Sequence, residues 1–191
     1  MRETDDKDKI KYWNIIMIKV LIIFLILIFV ITRFIFHQVE IYGDSMYPTL
    51  KAGEYGVSNK LFSNIKDIKR FEIVIIKDTN NRKGEDIELV KRVVGLPGET
   101  IFYMNDKLYV DGIEVEEPFL DAQYKQNYLK TSSVFTKDFG PVSLKEDEYF
   151  VLGDNRPYSS DSRSFGAIKA KNIISRGIII LYPFNSFGNG K

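Results

Sequence analysis

The chain has 191 residues, enough for one domain with its own core plus an appendage. Its 27 Lys and Arg balance 26 Asp and Glu, so no global charge points to nucleic acid or another polyanion as a partner. The absence of cysteine excludes thiol chemistry, disulfides and cysteine-ligated zinc, and a single histidine leaves only carboxylates for a metal site, so no metal or other cofactor is expected. The 14 Phe, 11 Tyr and many β-branched residues favour strands over a helical bundle.

The first element is a helix. Residues 15–36 read "IIMIKVLIIFLILIFVITRFIF", interrupted only by Lys19, Thr32 and Arg33. As a helix they span about 33 Å, against a bilayer hydrocarbon core about 30 Å thick. Lys19 and Arg33 lie where long cationic side chains reach the interface, and Tyr12 and Trp13 where an aromatic belt would sit. A buried core helix would have to be apolar all round in a small domain. A cleaved signal peptide needs a small-x-small exit, whereas "TRFIFHQVEIYG" follows here. The expectation is one uncleaved transmembrane anchor. Residues 1–19 carry five Lys or Arg (Arg2, Lys7, Lys9, Lys11, Lys19) and residues 32–50 only Arg33. Residues 1–14 are therefore placed in the cytoplasm and residues 37–191 outside the cell membrane.

Short strands follow. "QVEIYG" alternates, with Val39 and Ile41 on one face; "EYGVSNKL" and the apolar "RFEIVIIK" come next. A polar loop, "DTNNRKGED", leads to "IELVKRVVG" and a "GLPGE" turn. "TIFYMNDKLYVDG" reads as a hairpin about Asn105-Asp106. Residues 116–140 are polar, aromatic and weakly periodic, the centre of an insertion at about 102–142. "EYFVLGD", the loop "NRPYSSDSRSFG" and the strand "IISRGIIILYP" complete the chain. The fold class expected is mainly β: an exported all-β domain of antiparallel sheets with a small insertion, on one N-terminal transmembrane helix.

Two stretches carry chemistry. In "GDSMYPTL" (43–50) Ser45 sits in a tight turn, as a nucleophile would. A serine hydroxyl needs a base, and the one histidine, His37, lies upstream beside the anchor. In "IELVKRVVG" a period of two puts Ile87, Leu89, Lys91 and Val93 on one face and Glu88, Val90, Arg92 and Val94 on the other. Lys91 is thus the lone charge in an apolar row. If that row faces the core, desolvation lowers the lysine pKa and makes a neutral amine available as a base. Taken singly, "GDS" is also a plain β-turn and Lys91 also a lysine snorkelling at a strand edge.

"GDSMYPTL", "LVKRVVGLPGE" and "GDNRPYSSDSRSFG", in this order behind an N-terminal anchor, resemble the type I signal peptidases of bacteria, with a short insertion similar to Gram-positive members. The resemblance implies a membrane-bound serine endopeptidase that removes signal peptides from exported preproteins by a Ser-Lys dyad, cutting after small residues. Its partners would be preprotein signal peptides and the lipid bilayer. It implies Ser45 as nucleophile and Lys91 as general base, a variant of triad logic without histidine. Met46 would wall the site, Ser159 would hydrogen-bond and orient Lys91, and Asp161 would pair with Arg163. Asp154 and Asn155 would shape the last loop, and Val39, Ile41 and Val90 would line shallow pockets for small side chains. Gly43 stands where Gram-negative members have a serine that serves the oxyanion hole, so the hole would rest mainly on backbone N–H groups.

Rival readings fare worse on the same residues. A lipase-like hydrolase needs a histidine downstream of Ser45, and its elbow needs glycine where Tyr47 stands. A self-cleaving repressor would be soluble with a helix-turn-helix. A catalytically dead assembly factor would lack Ser45 or Lys91. A specialised peptidase or assembly factor for pilus-type surface proteins remains the alternative.

Overall fold

The apolar N-terminal run folds as one helix, α1 (Arg2–Phe34), and its stretch Lys11–Ile31 is long and apolar enough to cross a membrane and lies uncovered by the rest of the chain. The structure, a computed structural model, describes residues 2–60, 68–78 and 87–188, with side chains described from residue 11 onward except Thr32. Leu61 and the part of the expected polar loop beyond Asp78 lie outside the described residues. The helix stops two residues short of the expected span, because Phe36 already opens the first strand.

That strand, β1 (Phe36–Glu40), pairs with β2 (Tyr55–Asn59). β3 (Ile73–Lys77), β4 (Glu88–Gly95), β9 (Glu148–Leu152), β10 (Ile168–Lys169) and β11 (Ile173–Tyr182) complete a seven-stranded sheet in the order β1-β2-β11-β3-β4-β9-β10. A smaller sheet has the order β7-β6-β5-β8, built from β5 (Thr100–Met104), β6 (Lys107–Val110), β7 (Ile113–Val115) and β8 (Phe139–Ser143). The described strand pairs are antiparallel, as expected for a mainly β protein.

β3 lies between two layers of apolar side chains. Ile73 and Ile75 pack with Val39, Ile41, Met46 and Ile180, while Val74 and Ile76 pack with Val93, Val151 and Ile168 on the other side. This is why "IVIIK" is an unbroken apolar run rather than an alternating one. A third cluster, including Val94, Ile101, Phe150 and Leu152, joins the small sheet to the large one. Each such fully buried aliphatic side chain contributes about 1.5–3 kcal/mol.

The large sheet curls. Four strand spacings separate β1 from β4, about 19 Å in a flat sheet. Yet His37 Nε2 on β1 lies 2.6 Å from Glu88 Oε2 on β4. β9 pairs only with residues from Arg92 onward, so the first half of β4 is left unpaired on that side, in reach of β1.

The insertion holds a helix that the weak periodicity of residues 116–140 did not announce: α2 (Ala122–Leu129), capped by Asp121, whose carboxylate accepts from Tyr124 N at 2.6 Å. None of its residues is fully buried, so it lacks the apolar stripe that betrays a helix in sequence. The Asn105-Asp106 hairpin forms as expected, with both residues at the positive φ (54° and 63°) that a two-residue turn requires.

Candidate active site

Ser45 lies in a turn between β1 and β2, opened by Gly43 at φ 72°. A Cβ on Gly43 would meet nothing within 4 Å, so the backbone conformation, not space, calls for glycine there. The turn is tied down from the last loop of the chain. Asn155 N donates to Ser45 O at 3.0 Å, and Asn155 Nδ2 donates to Asp44 O at 2.9 Å. Thr49 Oγ1 donates to Asp154 Oδ2 at 2.6 Å. The Ser45 N–H donates to no group among the described residues.

Lys91 projects from the middle of β4 and is 2% exposed. Its Nζ donates to Ser45 Oγ at 2.7 Å. Burial lowers the lysine pKa from 10.5 to about 8, against the opposing pull of the Asp161 and Asp154 carboxylates. Leu89 and Val93, which share its face, pack into the second cluster, so the row does face the core. His37 is engaged by Glu88, and among the described residues Lys91 is the titratable group that hydrogen-bonds Ser45 Oγ.

The opposite row of β4 carries a charge that strand alternation alone does not explain. Arg92, also 2% exposed, donates from Nε to Asp154 Oδ1 at 2.8 Å and from Nη2 to Oδ2 at 2.7 Å. A third donor, Nη1, reaches Phe71 O at 2.7 Å. Asp154 is thus more than a loop-shaping residue: it links β4 to the nucleophile turn through Thr49. Arg156 is another buried cation that the sequence pattern does not reveal. It donates to Gly153 O at 3.0 Å and is joined to Glu117 and to the Tyr103 hydroxyl, so it ties the insertion to the last loop.

Asp161 accepts from Gly153 N at 3.0 Å and holds Arg163 through two bonds of 2.8 Å, from Nε and Nη2. It also caps the short helix α3 (Ser162–Phe165). Arg163 in turn donates to Arg156 O at 2.8 Å. The bond from Ser159 to Lys91 that the resemblance implies is not made. Ser159 Oγ is buried without a hydrogen-bond partner among the described residues, while Lys91 Nζ is directed at Ser45. Gly153 has no room for a side chain: a Cβ there would overlap Ser159 Oγ and Ser45 O.

Val39, Ile41, Met46 and Val90 belong to one apolar cluster beside the nucleophile turn. Val39, Ile41 and Met46 are buried and Val90 is partly so. The sheet therefore brings together a serine, a desolvated lysine, a small apolar wall and a polar support shell. Among the described residues no cluster of His and carboxylates could hold a metal ion.

The candidate site is thus a buried lysine in hydrogen-bond contact with a turn serine, set in curled antiparallel sheets, with no histidine in the contact. The comparisons with known proteins go further. The family model described as "Signal peptidase, peptidase S26" matches residues 14–182. Signal peptidase I S of Bacillus subtilis is 39% identical over 168 residues, covering 87% of this chain and 88% of that protein. Signal peptidase I V of the same organism is 44% identical over 150 residues, covering 74% and 82%. A crystal structure of a signal peptidase I from Enterococcus faecalis V583 is 37% identical with a TM-score of 0.51, covering 59% of this chain and 98% of that one. The chain belongs to the signal peptidase family, peptidase S26, alongside its signal peptidase I members.

Proposed function

We propose that this chain is a membrane-anchored signal peptidase that cleaves exported preproteins after small residues, with Ser45 as nucleophile and Lys91 as general base. The observation that carries the reading is the 2.7 Å contact between Lys91 Nζ and Ser45 Oγ, made by a lysine whose burial lowers its pKa to about 8. When neutral, the amine accepts the Ser45 proton, and the oxygen attacks the scissile carbonyl. The free Ser45 N–H is a donor for the resulting oxyanion, as expected where Gly43 offers no hydroxyl. The Lys91 ammonium then protonates the departing amine, leaving an acyl-enzyme on Ser45. Water activated by the same amine hydrolyses that ester. Asp161, Arg163 and Asp154 act as supports that hold the last loop against β4.

The wall of Val39, Ile41 and Val90 fits an extended substrate strand laid between β1 and the unpaired half of β4, presenting alternate side chains to one wall. With the full chain in detergent and Ser45→Ala as control, a precursor with Ala at the first and third positions before the scissile bond is expected to be cut. Phe at either position is expected to lower kcat/KM at least ~10-fold, the scale of one misfitted apolar side chain. Equal cleavage of the Ala and Phe precursors would refute the small-residue reading.

The charge bias of residues 1–19 supports a cytoplasmic N-terminus and an extracytoplasmic domain. Protease added to intact spheroplasts is expected to digest residues beyond His37 and to spare the first dozen. Protection of the larger part would reverse the orientation. A specialised role on pilus-type substrates is the second reading; no feature of the site favours it.

A further inference from the structure

On the outer side of the nucleophile turn lies an open cleft of about 540 Å³ lined by Asp44, Tyr47, Tyr124, Asn155 and Tyr158, a size typical of ligand pockets. It shares no residue with the apolar wall of Val39, Ile41 and Val90. The turn itself divides the two. Met46, 1% exposed, sinks into the apolar cluster, whereas Asp44, just before Ser45, and Tyr47, two residues after it, line the cleft.

The cleft is built by three separate segments. Tyr47, from the turn, meets the Tyr124 ring edge-on at 5.1 Å, and Tyr124 comes from α2 of the insertion. The Tyr124 hydroxyl donates to Asn155 Oδ1 at 2.9 Å, and Asn155 is the residue that grips Asp44 O and Ser45 O. Tyr158 leans edge-on against Tyr128 of α2 at 6.0 Å. Asp44 is the one carboxylate in the lining, and among the described residues it has no ion-pair partner. The neighbouring cation of α2, Lys125, is held by Asp106 at 2.8 Å and does not line the cleft.

We propose that this cleft receives the first residues of the mature chain, on the leaving side of the scissile bond, and selects a cationic side chain there over an acidic one. The inference rests on the reading of the chain as a signal peptidase. An extended substrate advances about 3.3 Å per residue, so the two residues after the bond stay close to Ser45. Residues before the bond occupy the apolar wall, and those after it leave past Asp44 and Tyr47. Three tyrosine rings and a carboxylate with no ion-pair partner among the described residues both attract a cation, through the ring quadrupoles and through direct charge. An acidic side chain meets like charge at Asp44 and gains nothing from the rings. The insertion thereby acquires a role in substrate selection. It supplies one wall of the cleft and, through Tyr124 and Asn155, steadies the nucleophile turn.

The test is a set of precursors identical up to the scissile bond, with Ala at the first and third positions before it, and with Lys or Glu at the first or second position after it. For the full chain in detergent, kcat/KM is expected to favour Lys over Glu by about 10-fold at one or both positions. Asp44→Asn is expected to bring that ratio to about 2 or below, because the charge that sorts the substrates is gone. Tyr158→Ala, at a residue 69% exposed, is expected to reduce the ratio while leaving its direction unchanged. Equal cleavage of the Lys and Glu precursors, or an unchanged ratio in Asp44→Asn, overturns the inference while leaving the peptidase reading intact. Failure of the wild-type chain to cut any precursor overturns the peptidase reading and the inference with it.

Discussion

Lys91→Arg is expected to give a folded protein whose turnover is at least ~100-fold lower, the low end of what a positioned general base contributes. Arginine keeps the positive charge and can still reach Ser45. With a reference pKa above ~12, however, it stays protonated and cannot take the hydroxyl proton. Lys91 differs because burial brings its pKa from 10.5 to about 8, so a useful fraction is neutral near physiological pH. In the wild type, kcat/KM should therefore fall as pH drops below about 8 and level off above it, and the Arg variant should not show that limb. Lys91→Met, which removes the amine without adding bulk, guards against a misfit of the larger guanidinium and should lose activity to the same extent. It also tests the desolvation. The folded state binds the lysine proton more weakly than the unfolded chain does, so the cost is fully present below about 8 and vanishes above 10.5. The Met variant should then be more stable than the wild type by about 3 kcal/mol at pH 7, and the gap should close as pH rises toward 10.5. Near-normal turnover in a folded Lys91→Arg protein would eliminate the dyad.

Much of this arrangement is legible in the sequence, for a specific reason. A strand has a strict period of two, so one charge among Leu89 and Val93 marks a lysine aimed into a core, and the structure buries it there. The other row, Glu88, Val90, Arg92 and Val94, holds two charges, so the same logic does not single out Arg92. What periodicity cannot supply is the partner of a buried charge. Asp154 is 62 residues away from Arg92, and only the pairing of β4 with β9 brings them together. Arg156 and Glu117 are hidden for the same reason, being joined across the insertion. Alternation puts Val39 and Ile41 on one face, and they share one cluster, although β1 begins at Phe36, upstream of the run expected from alternation. Helix α2 went unseen because it is held by a cap and by tyrosine edges rather than by an apolar stripe. The hydrogen bond expected from Ser159 is the instructive miss. A motif carries residue types, but which hydroxyl ends up nearest an amine depends on how the backbone is placed around the crowded Gly153.

Asp154→Ala is expected to destabilise the protein by about 3–5 kcal/mol, the cost of leaving a buried guanidinium without its counterion. Arg92 and Asp154 are 2% and 1% exposed, so water does not reach in to replace the lost carboxylate, and two charge-assisted bonds of 2.8 and 2.7 Å disappear together. The Thr49 hydroxyl loses its acceptor as well, which releases one of the ties on the Ser45 turn. Arg92→Met combined with Asp154→Ala should recover most of the loss, because removing both charges leaves no unpaired ion. Thermal or denaturant unfolding of the full chain in detergent would measure each step. A chemical readout accompanies the stability change. The Asp154 charge raises the Lys91 pKa against desolvation, so its removal should move the acid limb of kcat/KM to lower pH in whatever fraction stays folded. A loss below about 1 kcal/mol in Asp154→Ala, typical of an exposed ion pair, would mean that Arg92 finds water or another acceptor and that the pair does not hold the last loop to β4.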